Sequence, residues 1–428
     1  MTKRVVITGL GVMAPGASDI SAYMHLLKNG ISGIRFFADL KELEFGCCIG
    51  GRPEPEKSSF YSYIEQSGLT NATSIIHYAL LAGLEAWTDA GFSIPDQGKG
   101  EVDYETGIII GSGTGPADIW AARTIPLTDS KSIKRLRSTI VEHSMLNGAS
   151  ATLCGMLGTG NISTANASAC STGNEAIISA YERIKYGKAK RMIAGASEAG
   201  SPYCWSPFDA LRVTTRDYND SPEKGSRPMS ATASGFVPSC GAAIMILEEL
   251  ESALSRRAKI YAEICGGYIN SGGQRNGGSM TAPSSEGVIK CIKGALSDGG
   301  TKPEEIDFIS GHLSSTMADP LEVANWANAL NRSGKDFPYI NSTKSLIGHA
   351  IGAAGALETV ASVIQMHEKF LHPSINCEDL HPEISKLIDE KRIVRSLIKD
   401  INVNCVAKAS FGFGDVNSCL ILKRNSNG

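Results

Sequence analysis

No C-x-x-C pair occurs in this sequence, no long block of lysine or arginine, and no apolar run approaching the roughly 20 residues that cross a bilayer. Each absence removes a class of function. The eleven cysteines are odd in number and scattered apart from adjacent Cys47 and Cys48. That argues against a disulfide framework, a dithiol redox motif or a structural metal centre, and for reduced thiols in the cytosol. A formal net charge of −3 and a pI near 6.3 lack the basic face of a nucleic-acid binder. The start, Met-Thr-Lys-Arg followed by an apolar stretch, mimics a signal peptide, but its glycines and Pro15 fit a buried first strand followed by a turn.

With 428 residues and 42% hydrophobic content, the chain can bury a large core, in two domains or one duplicated domain. Short β-branched runs at 5–8, 106–110, 191–194, 242–247, 260–265, 306–310, 403–408 and 418–422 alternate with helical patterns at 73–91, 173–186, 284–299, 320–331 and 352–368. The alternation predicts an α/β fold with strands buried on both faces. A charged stretch at 248–259 separates two halves that each open with a strand, which places a boundary after residue 255 and gives domains 1–255 and 256–428. The glycine-rich patches at 266–278 and 411–414 read as loops or turns.

Gly9-Leu10-Gly11-Val12-Met13-Ala14 matches the loose form of a dinucleotide fingerprint. Pro15 and Gly16 stand where the phosphate-binding helix should begin, and no acidic residue follows at the ribose position, so a structural turn is the better reading. Cys170, in Ala-Ser-Ala-Cys-Ser-Thr-Gly, lies where a strand-like stretch gives way to a helix. Unpaired first-turn N–H groups and the helix dipole would favour a thiolate there, whereas a buried cysteine in a tight turn is the plainer account. His312 follows a strand at its C-terminal end, where α/β folds collect functional groups. His349 precedes Ala-Ile-Gly-Ala-Ala-Gly-Ala-Leu-Glu, a helix of small side chains that must pack closely against another backbone. Glycines flank Phe413, so its backbone can bend an N–H into a site. Singly, each has a structural explanation. Together a thiol, imidazoles, an ammonium and a glycine-flanked aromatic supply the parts of an acyl-transfer site.

Four stretches carry a family resemblance: Ala-Ser-Ala-Cys-Ser-Thr-Gly around Cys170, Gly-His-Leu-Ser-Ser-Thr around His312, Asn-Ser-Thr-Lys-Ser-Leu-Ile-Gly-His-Ala-Ile-Gly-Ala-Ala-Gly-Ala-Leu-Glu over 341–358, and Ser-Phe-Gly-Phe-Gly over 410–414. The chain resembles the β-ketoacyl-[acyl carrier protein] synthases of type I/II over nearly its whole length. The resemblance implies a thiolase-like fold, duplicated βαβαβαββ halves in a five-layer αβαβα arrangement. It also implies a homodimer, with a heterodimer containing a chain-length partner as the variant, and acyl carrier protein as the partner that brings acyl and malonyl thioesters. No metal or separate cofactor is expected, since the carrier holds the phosphopantetheine.

The roles implied are Cys170 as nucleophile, His312 and His349 as donors to the thioester oxygen during malonyl decarboxylation, and Phe413 as backbone oxyanion donor and gate. Lys344 and Glu358 support that network, and Ser314 and Thr316 bond the phosphopantetheine arm. The sequence departs from the family pattern in three places: the loop Thr316-Met317-Ala318-Asp319 is one residue short, 233–243 lacks an acidic residue, and Thr114 replaces an apolar acyl-pocket residue. The segment 65–71 also lacks carrier-docking basic residues, leaving Arg212, Arg216, or Lys131, Lys134, Arg135 and Arg137 as candidates. These departures point to a specialised relative building a polyene, aryl-polyene or other polyketide-like chain. The alternatives are a thiolase acting on coenzyme A esters, against which Phe413 stands where a second cysteine is needed, and a non-catalytic chain-length partner, which lacks the nucleophile Cys170 supplies.

Overall fold

The computed structural model describes residues 2–69, 72–96 and 98–425, so Thr70 and Asn71 of the segment 65–71 lie outside the described residues. Ten strands form one mixed sheet: β1 (Val5–Met13), β2 (Thr106–Gly111), β3 (Ser163–Thr164), β4 (Arg191–Glu198), β5 (Gly241–Glu249), β6 (Ala262–Ser271), β7 (Phe308–Ser310), β8 (Tyr339–Asn341), β9 (Cys405–Gly412) and β10 (Val416–Lys423). Their spatial order is β8-β7-β9-β10-β6-β1-β5-β4-β2-β3. Outward from the middle, β1-β5-β4-β2-β3 and β6-β10-β9-β7-β8 repeat one plan, in which two antiparallel pairings are followed by two parallel ones. The halves join where β1 pairs antiparallel with β6, with Val5 opposite Ile264.

The principal helices are α1 (Ser74–Asp89), α2 (Gly148–Leu157), α3 (Thr172–Lys185), α4 (Ser285–Asp298), α5 (Asp319–Leu330) and α6 (Ala354–His367). Strand periodicity sorts them into layers. On β1, Val5, Ile7, Leu10 and Val12 face the central cluster, which holds α3 and α6, while Met13 belongs to the outer cluster with α1 and α2. On β5, Ala243, Met245 and Leu247 turn inward and Ala242, Ile244 and Ile246 outward. The second half repeats this, with Val406 of β9 inward and Ala407 and Ala409 toward α4 and α5. Helix layers on both faces of each half-sheet give the αβαβα stack, and they explain why the strands read as apolar runs rather than alternating ones.

The central layer is unusually close-packed. A Cβ on Gly173 of α3 would sit 2.6 Å from the Ala356 amide nitrogen of α6, so the two helix backbones touch with no side chain between them. This is the close approach expected of the small-residue helix.

Several details differ from the sequence reading, which held no helix at Ile20–Asn29, Gly148–Leu157 or Pro202–Ala210. Gly9-Leu10-Gly11-Val12-Met13 is no turn: after a register shift between Ile7 and Gly9 it continues β1 to Met13. The glycines are there because α1 lies against the strand, and a Cβ on Gly11 would fall 1.9 Å from the Ala82 carbonyl oxygen. Residues 266–271, expected as loop, extend β6. Strands β3 and β8, two and three residues long, went unpredicted because so few residues carry no period. No helix among the described residues is long and apolar enough to cross a membrane, and none of the eleven cysteines is in a disulfide.

Because Gly11 admits no side chain, Gly11→Ala is expected to lose roughly 1–3 kcal/mol of unfolding free energy, read as a lower urea midpoint at unchanged slope. An unaltered midpoint would show that α1 does not press on β1 as described.

Candidate active site

The site forms at the ends of the parallel strands, from loops that occupy equivalent places in the two halves. Cys170 lies between β3 and α3, and Lys344 and His349 lie between β8 and α6. Because α3 and α6 meet at their first turns, the loops before them must also meet.

Cys170 sits in a 3-10 turn, Ala169–Ser171, directly before α3. The turn is fixed at every residue. Ser168 N–H donates to Thr172 Oγ1 (2.8 Å), and Thr172 Oγ1 donates to the Ala169 carbonyl (2.8 Å). Ser171 Oγ reaches across to the carbonyls of Ser410 (2.9 Å) and Val416 (3.1 Å) on β9 and β10. Those bonds hold Ala169 in the left-handed region at φ 48°, a strained conformation for a residue with a side chain.

The expected thiolate is not what this environment favours at rest. Burial pushes the Cys170 thiol up to about 11, with the Lys344 ammonium and the Phe413 N–H acting against it. Desolvation outweighs the helix terminus, so the sulfur rests protonated.

His312 follows β7. Its own N–H and that of Leu313 both donate to the Glu322 carboxylate at 2.7 Å, and the next turn donates to Asp319 from Ser314 (2.8 Å) and Ser315 (3.1 Å). Burial raises Glu322 to about 7 and Asp319 to about 6 despite these bonds. His349 is held through its backbone, donating to Val237 (2.8 Å) and accepting from Ser239 (2.9 Å). One nitrogen of each imidazole and Cys170 Sγ all lie within 4.8 Å of one another. The two rings stand nearly perpendicular, centroids 5.3 Å apart.

The tautomers follow from the partners. His349 Nδ1 accepts from the Ile351 N–H at 3.0 Å, and His312 Nδ1 faces the Lys344 ammonium at 3.2 Å. An ammonium can only donate, so each ring carries its hydrogen on Nε2. Burial first and Lys344 second hold both imidazoles well below their ordinary value, and both are neutral donors at neutral pH. Lys344 also donates to the His312 carbonyl (2.5 Å) and pairs with Glu358, with both side chains only 1% exposed.

Cys170, His312 and His349 line one cavity of about 450 Å³ together with Phe208, Phe236, Phe411 and Phe413. Ser314 and Thr316 line it too, their hydroxyls 3.0 Å apart. The Phe413 N–H lies close enough to oppose the rise of the Cys170 thiol pKa, and its ring packs on Phe208, centroids 6.2 Å apart. Of the candidate docking residues, Arg212 lines the cavity, is exposed and makes no ion pair among the described residues, whereas Arg216 is tied to Asp209 (3.3 Å). Lys131, Lys134, Arg135 and Arg137 are exposed on the segment 117–147.

Thr114 does not line this cavity. Its hydroxyl goes to Glu198, a buried carboxylate that also accepts from Ser112 Oγ (2.9 Å) and the N–H groups of Gly113 (2.7 Å), Thr114 (3.1 Å) and Gly352 (3.0 Å). The pocket polarity inferred from Thr114 therefore has no support here. Sequence reasoning also missed Glu198, Glu322 and Lys408, a lysine paired with Glu358 at 2.8 Å. The signal for Lys408 was its place two residues from Val406, which puts it on the inward face of a core strand. The thiol and imidazoles are the cluster of described residues close enough to hold a metal ion, but a thiol raised in pKa beside two ammonium groups is a poor cation site.

Comparison with known proteins settles the family. The Beta-ketoacyl synthase N-terminal domain matches residues 2–253, and the C-terminal domain matches residues 261–378. The chain belongs to the β-ketoacyl synthase family. It is 34% identical over 423 residues to 3-oxoacyl-[acyl-carrier-protein] synthase 1 of Haemophilus influenzae, covering 99% of each chain. To the chloroplastic 3-oxoacyl-[acyl-carrier-protein] synthase I of Arabidopsis thaliana it is 33% identical, covering 97% of this chain and 85% of that one. Among solved β-ketoacyl synthase structures, a type II PKS acyl-carrier protein in complex with its ketosynthase bound to the hexaketide superposes with a TM-score of 0.86 at 27% identity, over 99% of this chain and 100% of that one. The ishigamide ketosynthase/chain length factor gives a TM-score of 0.85 at 26% identity, over 100% of both chains. Like the family, this chain is an acyltransferase, a condensing enzyme of fatty-acid or polyketide-type synthesis, on the thiolase-like fold.

A thiol raised to about 11 ionises tenfold more per pH unit below that value. Alkylation of Cys170 by iodoacetamide, followed by mass spectrometry, should therefore accelerate steadily with pH through the neutral and mildly alkaline range. A rate already level at pH 7 would show a resting thiolate instead.

Proposed function

We propose that this protein extends an acyl chain by two carbons through decarboxylative Claisen condensation, taking both substrates from acyl carrier protein. The observation that carries the proposal is the convergence of Cys170, His312 and His349 on one cavity from both halves of the chain. The reaction is ping-pong. Cys170 sulfur attacks the acyl thioester, its proton passes to the departing phosphopantetheine sulfur, and an acyl-Cys170 remains. A malonyl thioester then enters and loses CO₂, its enolate carbon attacks the acyl-Cys170 carbonyl, and the sulfur leaves and regains a proton.

Decarboxylation puts negative charge on the malonyl thioester oxygen, and two neutral imidazoles presenting Nε2–H are suited to receive it. In the acyl-transfer steps the tetrahedral oxyanion would lie between the N–H groups of Cys170 and Phe413, the latter near enough to lower the thiol pKa. Lys344 and Glu358 fix the His312 tautomer from behind. The Ser314 and Thr316 hydroxyls suit the amides of the phosphopantetheine arm, and exposed Arg212 at the same cavity suits an acidic carrier.

The protein, with domains 1–255 and 256–428 in each chain, would act as a dimer of two chains. Edge strand β3 ends the sheet in a two-residue strand, and the segment 117–147 exposes Trp120, Ile125, Ile133, Val141 and Met145, large apolar side chains suited to a partner's surface. The homodimer is the reading, and a chain-length partner on the same face is the variant.

Incubation with acyl-carrier protein should add one acyl mass to wild type at Cys170 and none to Cys170→Ala. His312→Ala and His349→Ala should keep the adduct but lose about 10²–10³-fold in malonyl decarboxylation. An adduct on another residue, or histidine variants that decarboxylate at the wild-type rate, would refute the scheme. A panel of saturated, unsaturated and aryl acyl carriers would then place the chain among primary or specialised synthases.

A further inference from the structure

Glu358 holds a lysine on each of its carboxylate oxygens. Lys344 is on Oε1, and Lys408 Nζ is 2.8 Å from Oε2. Lys408 is completely buried, projecting from β9 on the inward face beside Val406 and Ser410. Its ammonium also donates to the Ala409 carbonyl and to Ser410 Oγ (3.1 Å). A carboxylate, a carbonyl and a hydroxyl thus cradle one cation at the base of the site.

A buried carboxylate oxygen left without a cation would compete for the nearest ammonium, because unpaired buried charge is costly. Here the second oxygen is already occupied, so Lys344 is left extended toward His312, where it meets both the carbonyl and ring Nδ1. Two lysines thus share one carboxylate behind the cavity where a malonyl carboxylate and then an enolate must be received, and although burial lowers the Lys408 pKa, Glu358 opposes that shift. Lys408 touches the nucleophile's side as well, since the carbonyl of Ser410 accepts from Ser171, the neighbour of Cys170.

We propose that Lys408 is a positioning residue for decarboxylation, a tethered cation that occupies the second oxygen of Glu358 so that Lys344 remains committed to His312. The inference rests on reading His312 as a donor to the malonyl thioester, and it adds a residue to that machinery rather than a new reaction.

Replacing Lys408 by alanine leaves an ammonium-sized cradle of intact acceptors. Lys408→Ala should lower kcat for malonyl decarboxylation by about tenfold or more with KM nearly unchanged, while Cys170 still acquires its acyl adduct. Methylammonium or ethylammonium chloride should restore much of the rate, and tetramethylammonium chloride at the same ionic strength, whose cation has no N–H and does not fit, should not. Should Lys408→Ala fail to fold, the cycle with Glu358→Gln decides. Lys408→Met is expected to cost about tenfold with Glu358 present and about twofold or less in Glu358→Gln. A folded Lys408→Ala with the wild-type rate, a loss that small alkylammonium ions do not relieve, or an equal cost in both Glu358 backgrounds would overturn the assignment. A wild-type protein that acylates Cys170 yet never decarboxylates malonyl thioester would refute the reading of the site itself.

Discussion

Everything at the site depends on two helix backbones lying in contact at the centre of the molecule. Gly173 in the first turn of α3 leaves no room for a Cβ against Ala356 in the first turn of α6. One or two methylenes there would separate the half-sheets and, with them, the loops that precede the helices. The sulfur comes from one of those loops and an imidazole from the other, so their distance is set by the thickness of the central layer. A dense interior transmits such a change rather than absorbing it.

Burial at that junction has chemical consequences that work in opposite senses for the two kinds of group. It keeps the thiol protonated and the imidazoles unprotonated. In the proposed reaction, neutral imidazoles would donate to a growing oxyanion without already carrying the charge that would hold a substrate carboxylate in place, which would separate transition-state stabilisation from ground-state binding. The charged residues are set one shell back. Glu358 with its two lysines orients His312, Glu322 holds the backbone of the same loop, and Glu198 gathers the 112–114 turn and Gly352 near Cys170. Glu198 and Glu322 each accept several donors and Glu358 is paired with two lysines, as burial of charge requires.

Much of this was legible in the sequence because the chemistry sits in compact local motifs. Cys170, His312, Lys344, His349, Glu358 and Phe413 each lie within a distinctive run, and all fall at one place in the fold. Five of the six principal helices were legible through their period, to within two or so residues at each end, whereas α2, with small residues such as Gly148, Ala149, Ser150 and Ala151 and little amphipathic pattern, was not. Short strands were not, since β3 and β8 are too brief to show one. Gly9 and Gly11 misled because a glycine opening a turn and a glycine admitting a neighbouring helix look alike until α1 is in place. The same holds for charge. Lys408 closes a run of apolar residues, and its spacing of two from Val406 marks it as inward only once Val406 is known to face the core. Thiol acidity was misjudged for a related reason, because a helix N-terminus is visible in sequence and the depth at which it is buried is not.

The central claim is that one cavity presents two backbone N–H groups to an acyl-Cys170 carbonyl and two imidazole N–H groups to the incoming thioester. The most direct measurement is a crystal structure of the protein acylated on Cys170. The account predicts the acyl carbonyl oxygen within hydrogen-bond reach of the Cys170 and Phe413 amides, with the space in front of both imidazoles left open for the malonyl thioester. An acyl oxygen bound instead by His312 or His349, with the Phe413 N–H turned away, would contradict it.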